Sequence, residues 1–210
     1  MPKDKKISRE KIIRAAIDEF TEYGYDKASM RRIGERCGLT AAALYRHFDS
    51  KAALFRTLVK PAIDDFNAWV DEHSARTAEA IRRSLDESGN GNISLMRDRI
   101  DINMMEDLIY PRMDEYVLLV NKSSGSEYED FMSDLVDAHQ ERLVPYINRL
   151  RERGCKVRDI STEDLHALLT VYCKALFEPV ARGYSLEQAM NYLRIIDEFF
   201  GPGWKMLLGV

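Results

Sequence analysis

The 210-residue sequence predicts an all-α protein, with a compact three-helix segment at the N-terminus and a longer helical remainder. Three observations predict it. Apolar residues recur at helical spacing almost everywhere. No run alternates in the manner of a half-buried strand over a useful length. Four capping residues, Ser8, Ser29, Thr40 and Ser50, fall within about forty residues, a density that describes short helices crossing steeply.

The elements follow in order. Ser8 is a good N-cap for a first helix, in which Ile12, Ala16 and Phe20 form one stripe with Ile13 and Ile17 beside it, and Gly24 sits where that helix should stop. Ser29 caps a short helix carrying Met30, Ile33 and Cys37 and closed by Gly38. Thr40 caps a very short third helix containing Leu44, and Phe48 packs after it. Ser50 then caps a fourth helix that begins Lys-Ala-Ala-Leu-Phe. Its stripe continues through Ile63, Phe66 and Val70, so the helix is expected to pass Pro61 with a kink. Ser88-Gly-Asn-Gly-Asn is the clearest loop signal, with further breaks at Ser123-Ser-Gly-Ser and near Gly154. Residues 93–121 and 127–152 read as helices between them. Ser161 or Thr162 opens the penultimate helix, with Leu165, Leu168, Leu169, Tyr172 and Leu176; Glu178-Pro179 and Arg182-Gly183 mark its end. Ser185-Leu-Glu-Gln188 is a capping box for the last helix, with Leu186, Met190, Leu193, Ile196 and Phe200 on one face. Ile195 and Phe199 widen that face, and a helix apolar on two sides must be covered twice.

Composition bounds the function. Apolar residues make up 45% and charged residues 31%, as in an ordinary soluble globular chain. No window approaches a membrane span, and no apolar stretch with a cleavage site follows the charged N-terminus. Cys37, Cys155 and Cys173 lack metal-ligand spacing and read as reduced thiols, so a cytoplasmic location is expected. No phosphate loop, nucleophile elbow or zinc helix is present, and neither an enzyme, a cofactor nor a metal is expected. The net charge of −4 hides an asymmetry: residues 1–60 hold 14 Lys and Arg against 8 Asp and Glu, and the remaining 150 hold 17 against 27. A basic head on an acidic body points to a polyanionic partner for the head.

The segment Ser29–Lys51 carries the chemistry. A short helix ends at Gly38, the chain turns, and Thr40 starts another, which is the helix-turn-helix arrangement that offers its second helix to a DNA major groove. Ala41, Ala42, Tyr45 and Arg46 lie on the exposed face, while Leu44 and Phe48 face inward. Small side chains allow close approach to base edges, and alanine methyls can touch thymine methyls. Ser29, Thr40, Tyr45, His47 and Lys51 offer donors near helix N-termini for phosphates.

The ordered pieces Ile-Ile-Arg-Ala-Ala (12–16), Phe20 with Gly24-Tyr25, Ser29-Met-Arg-Arg-Ile, Cys37-Gly-Leu-Thr, Leu44-Tyr-Arg-His-Phe and Ser50-Lys-Ala-Ala-Leu-Phe resemble the TetR/AcrR family of bacterial transcriptional regulators. Phe199-Phe200 through Gly203-Trp204 to Leu207-Leu-Gly is also similar, though less diagnostic. The resemblance implies an N-terminal three-helix DNA-binding domain, residues 1–52, and an effector-binding and dimerisation domain, residues 53–210. It implies a ligand-responsive regulator, most often a repressor, whose homodimer forms through the last two helices (about 162–182 and 186–208). It gives Thr40, Tyr45, His47 and Lys51 the phosphate positions, and Ala41, Ala42 and Arg46 the base-reading positions. Many relatives carry Lys, Gly or Thr where Ala41, Ala42 and Ala43 stand, so readout here leans on Tyr45, Arg46, methyl contacts and DNA shape.

In the longer domain, Met104, Met105, Tyr110, Met113, Phe131, Tyr146, Tyr172 and Phe177 are the candidate lining of an apolar effector site, with ordinary core the plainer reading for any one of them. Tyr116 and Met132 share that enrichment. Asp101, Glu106, Asp107, Asp114 and Glu115 suit a cationic effector, but solvated helix faces explain them more simply. A vestigial hairpin on an enzyme would need a nucleophile–base pair, and a protein adaptor would need a monomer with an unpaired apolar face.

Overall fold

The computed structural model describes the backbone of residues 2–88 and 103–209, and the side chains of residues 9–73 and 103–209. Among these the structure is helical, without a strand: α1 (Pro2–Lys27), α2 (Met30–Cys37), α3 (Ala41–Tyr45), α4 (Lys51–Ser88), a π-helical turn (Met104–Ile109), a 3-10 turn (Tyr110–Arg112), α5 (Met113–Asn121), α6 (Phe131–Glu152), α7 (Thr162–Arg182) and α8 (Leu186–Leu208). No helix among the described residues is long and apolar enough to cross a membrane.

The predicted caps account for most helix ends. The hydroxyls of Thr40, Ser50, Ser161 and Ser185 each accept a hydrogen bond from the backbone N–H three residues on. Ser185 and Gln188 form both halves of the capping box, and of the two candidate openers of α7, Ser161 is the one that caps. Gly38 and Gly183 close α2 and α7 in the left-handed conformation, which lacks a Cβ penalty only for glycine. Gly24, with φ 74° and ψ 164°, breaks the helical run of α1 where a stop was expected.

Four expectations are corrected. Ser8 lies within α1, which begins at Pro2, so it does not stand at that helix's head. Ser29 sits at the N-cap position of α2, but its side chain makes no capping bond. Residues 127–130 are turns, and α6 starts only at Phe131. There Ser126 N–H donates to the Ser123 carbonyl, Tyr128 N–H to Ser126 Oγ and Gly125 N–H to Glu129 Oε2, local bonds that compete with a helix ladder. The stretch leading to residue 121 is three pieces rather than one, because Pro111 cannot donate an i to i−4 bond and the Tyr110 N–H reaches back five residues to Met105. Gly89-Asn-Gly-Asn and the start of the helix expected at 93, Asp101 included, lie outside the described residues.

The chain divides into two compact units, Met1–Asp65 with Arg112–Phe131, and Phe66–Pro111 with Met132–Val210. The first is larger than the head expected at 1–52, because α5 packs against α1. Its core joins Ile12, Ala16 and Phe20 of α1 to Ile33, Leu44, Leu54, Phe55 and Val59, with Tyr116, Leu118 and Leu119 from α5. Phe55 receives the edges of Phe20 and Tyr25 at 5.0 and 5.1 Å. The fully buried Tyr116 donates its hydroxyl to the Ala62 carbonyl at 3.0 Å, just past Pro61 in α4, and burial raises its pKa. The Tyr25 N–H donates to the Lys122 carbonyl at 2.8 Å, and Arg56 forks onto both oxygens of Glu127.

The second unit has its own core, in which Val136, Leu143, Tyr146, Ile147 and Leu150 of α6 meet Leu165, Leu169 and Cys173 of α7 and Leu207 and Leu208 of α8. The Tyr110 hydroxyl reaches the Tyr184 carbonyl at 2.8 Å, tying the π-helical stretch to the head of α8. On α7 and α8 a row of apolar side chains remains exposed: Leu168, Val171, Ile195, Phe199 and Met206.

Candidate nucleic-acid interface

A short helix can serve as a reading head only if its neighbours hold it firmly. Leu44, wholly buried, and Phe48, nearly so, anchor α3 from beneath. The Thr40 hydroxyl accepts the Ala43 N–H at 3.1 Å, and its own O–H remains free to donate outward. The α2–α3 turn is closed by the Leu39 N–H donating to the Gly34 carbonyl at 2.8 Å. Gly34 is required there by proximity: a Cβ on it would stand 2.8 Å from the Leu39 carbonyl oxygen. Sequence reasoning passed over this residue, although a glycine inside a short helix is a signal of close backbone approach.

Glu19 of α1 fastens α2 in place. It is fully buried, and its carboxylate accepts the Ser29 N–H at 3.0 Å, Arg32 Nε at 2.6 Å and Arg36 Nε at 3.2 Å. Arg36 also pairs with Glu22, and Arg32 lies over the Tyr23 ring at 4.4 Å while donating to the Lys27 carbonyl. The two arginines of the Met-Arg-Arg-Ile segment therefore differ: Arg31 pairs on the surface with Glu35, and Arg32 turns inward. Nothing in the periodicity singled out Glu19, since a carboxylate among core positions is recognisable only once its partners are known.

The structure brings most of the expected DNA-binding residues together. Ala42, Tyr45 and Arg46 are exposed along α3 and its end, Ala41 and His47 are half-buried beside them, and Thr40 is exposed at its start. Half of Tyr45 remains open to solvent. Ser29 is half-buried, and its backbone N–H is engaged by Glu19. Lys51 differs from expectation. Its ammonium donates to the carbonyls of Tyr25, Asp26 and Ala28 at 2.7, 3.0 and 3.4 Å and lies 4.4 Å over the Tyr25 ring. An ammonium has three donors, and here all three cap the C-terminal end of α1, so none is presented to a phosphate.

The candidate effector residues are divided between the two units. Met113 and Phe131 belong to the first unit, and the others to the second. Met104, Met105 and Phe177 are buried, Phe177 against Phe66 at 6.3 Å between ring centroids. Tyr172 meets Phe200 and Trp204 edge to face at 5.3 and 5.8 Å. Tyr110 is half-buried with its hydroxyl engaged as above. Tyr146 stands apart: it is 7% exposed, and its hydroxyl is buried without a hydrogen-bond partner among the described residues. Burial pushes its pKa up to about 12, so the hydroxyl stays protonated at neutral pH. Glu106, Asp107 and Asp114 are exposed and Glu115 half-buried, as solvated faces require.

Comparison with known proteins bears on the same segment. A family model described as bacterial regulatory proteins, tetR family, matches residues 12–58, which span α1 to the start of α4. The HTH-type transcriptional repressor AcnR of Corynebacterium efficiens is 27% identical over 191 residues, covering 90% of each chain. The HTH-type transcriptional repressor Rv1474c of Mycobacterium tuberculosis is 26% identical over 191 residues, again 90% of each. A solved TetR-family regulator of Streptomyces coelicolor is 18% identical, covers 91% of this chain and 93% of that one, and superposes with a TM-score of 0.26.

Proposed function

The chain belongs to the TetR family of bacterial transcriptional regulators, and from that premise we propose that it represses transcription as a homodimer released from its operator by a small molecule. The observation that carries the DNA-binding half is α3 itself: a short helix with small and hydrogen-bonding residues outward, seated on a buried Leu44 and fixed by a turn that only glycine permits. Thr40, Tyr45 and His47 take phosphates and Ala41, Ala42 and Arg46 read bases in this proposal, with Ser29 behind them. Repression, rather than activation, follows the names of the relatives that match along nearly their whole length. The protein acts in the cytoplasm, where the DNA is, and is not an enzyme.

Dimerisation is supported by the exposed apolar row on α7 and α8, of which Ile195, Phe199 and Met206 are each more than 60% exposed. Apolar side chains in that number on one face mark a protein contact. A two-fold dimer would set its recognition helices roughly 34–36 Å apart, one turn of DNA. The hydroxyl of Tyr146, without a partner among the described residues, supports an effector site in the second unit, because a buried O–H without an acceptor costs about 1–3 kcal/mol that a ligand acceptor would recover. An effector acts by binding better to a dimer whose recognition helices are wrongly spaced, and only that difference in affinity moves the equilibrium. Helix α4, which starts beside the recognition helix and continues through Pro61 to Ser88, is the covalent link for such a change.

Fluorescence anisotropy against the intergenic DNA upstream of the protein's own gene, with excess non-specific competitor, tests the reading. Competitor-resistant binding with two subunits per site is expected. Binding no tighter than to competitor, repeated in a genome-wide selection of bound fragments, would remove transcription control from consideration.

A further inference from the structure

The charge of the DNA-binding head is largely neutralised from within. Among the described residues up to position 60, Arg14 pairs with Asp18 and Asp114, Arg31 with Glu35, Arg32 and Arg36 with Glu19, Arg56 with Glu127, and Lys60 with Asp64. Lys51 is held by three carbonyls. Arg9, Lys11, Lys27 and Arg46 have no acidic partner among the described residues. Arg46 is the C-cap of α3. Arg9, although it stands near the start of α1, has its guanidinium 5.3 Å from the centroid of the Phe48 ring. Phe48 closes the turn at the end of α3, its N–H donating to the Leu44 carbonyl at 3.1 Å. The guanidinium lies over the Phe48 ring, while Arg9 stays exposed.

We propose that Arg9 is a DNA phosphate ligand, supplying beside the recognition helix the cation that Lys51 does not. The proposal rests on the reading of the head as a DNA-binding domain. A cation–ring contact restrains an arginine without supplying an acceptor for its N–H groups, and its fork matches a phosphate with two parallel bonds. An arginine held in this way loses less freedom on binding than a lysine of equal charge. The contact carries no sequence information, because it is made to the backbone rather than to a base.

The test is the salt dependence of binding to two labelled duplexes, the intergenic sequence upstream of the protein's own gene and a scrambled duplex of equal length. Each phosphate contact contributes about 0.9 to the slope of log K against log salt. Because the bound homodimer carries two Arg9 side chains, Arg9→Gln is expected to make that slope less negative by about twice this amount on both duplexes, with the circular dichroism spectrum and Tm unchanged, and Arg9→Lys to retain most of it. Lys51→Met is expected to keep the wild-type slope while lowering Tm. A folded Arg9→Gln protein with the wild-type slope would overturn the proposal. If the wild type binds neither duplex, the DNA-binding reading fails and this inference falls with it. If the wild type binds and Arg9→Gln leaves its slope intact, this inference alone fails.

Discussion

Gly34 and Tyr146 are single atoms' worth of chemistry with opposite consequences. At Gly34 the backbone of Leu39 comes so close that a Cβ would meet its carbonyl oxygen at 2.8 Å. Carbonyl oxygens in a tight turn cannot step aside as a side chain can, so Gly34→Ala must spread the α2–α3 turn. We expect a loss of about 1–3 kcal/mol, the usual cost of overpacking, read as a lower urea midpoint at unchanged m-value. DNA affinity should fall further than stability, since α3 would be re-aimed. At Tyr146 the hydroxyl is buried without a partner among the described residues. Tyr146→Phe removes that unmet group, leaves the ring in place, and should raise stability by about 1 kcal/mol. A drop in Tm would mean the hydroxyl has an acceptor after all. If the hydroxyl serves the effector, the more stable variant will also be the one that effector releases less readily from DNA, a familiar exchange between stability and activity.

At the scale of the helices, local chemistry was legible and tertiary chemistry was not. Thr40, Ser50, Ser161 and Ser185 could be recognised as caps because a cap is a relation between residues three apart. Leu44 and Phe48 could be assigned inward from spacing alone. Ser29 misled for a tertiary reason: its side chain caps nothing, and its own N–H donates to Glu19, ten residues earlier. Lys51 misled similarly, its three carbonyl partners lying more than twenty residues away. Glu19 is the residue to change, because this one side chain of α1 accepts from Ser29, Arg32 and Arg36 together. Glu19→Ala removes the acceptor of the Ser29 N–H and of the Arg32 and Arg36 Nε groups, while Arg36 keeps Glu22 and Arg32 keeps the Lys27 carbonyl. The arginines are 41% and 34% exposed and water can reach them, so the loss should lie near 2–3 kcal/mol rather than the 3–5 of a fully buried pair. Glu19→Gln keeps one carbonyl acceptor in position and should lose roughly half as much. Thermal denaturation of both variants decides it; equal losses would show that shape rather than hydrogen bonding fixes α2.

For the whole molecule, the decisive quantity is the number of heads on one DNA site. The last helix was recognisable in sequence as apolar on two sides, and the structure separates those sides: Leu193, Leu207 and Leu208 face the core, while Ile195, Phe199 and Met206 face outward. Phe199, at 76% exposure, gives up almost nothing in a lone chain when it is changed. In a dimer joined through this face the same side chain is buried, and an aspartate there would bring an unpaired charge out of water, a cost of several kcal/mol. Phe199→Asp is therefore expected to leave the circular dichroism spectrum and Tm of the subunit nearly unchanged while sedimentation velocity shows a monomer. A monomer carries one recognition helix, so its salt slope on operator DNA should be about half that of the dimer, since the slope counts phosphates neutralised. The two measurements constrain each other. A monomer that keeps the full slope would place all the phosphate contacts in one head and deny a two-fold site. A variant that remains dimeric would move the interface off the α7–α8 row, leaving that face for some other partner.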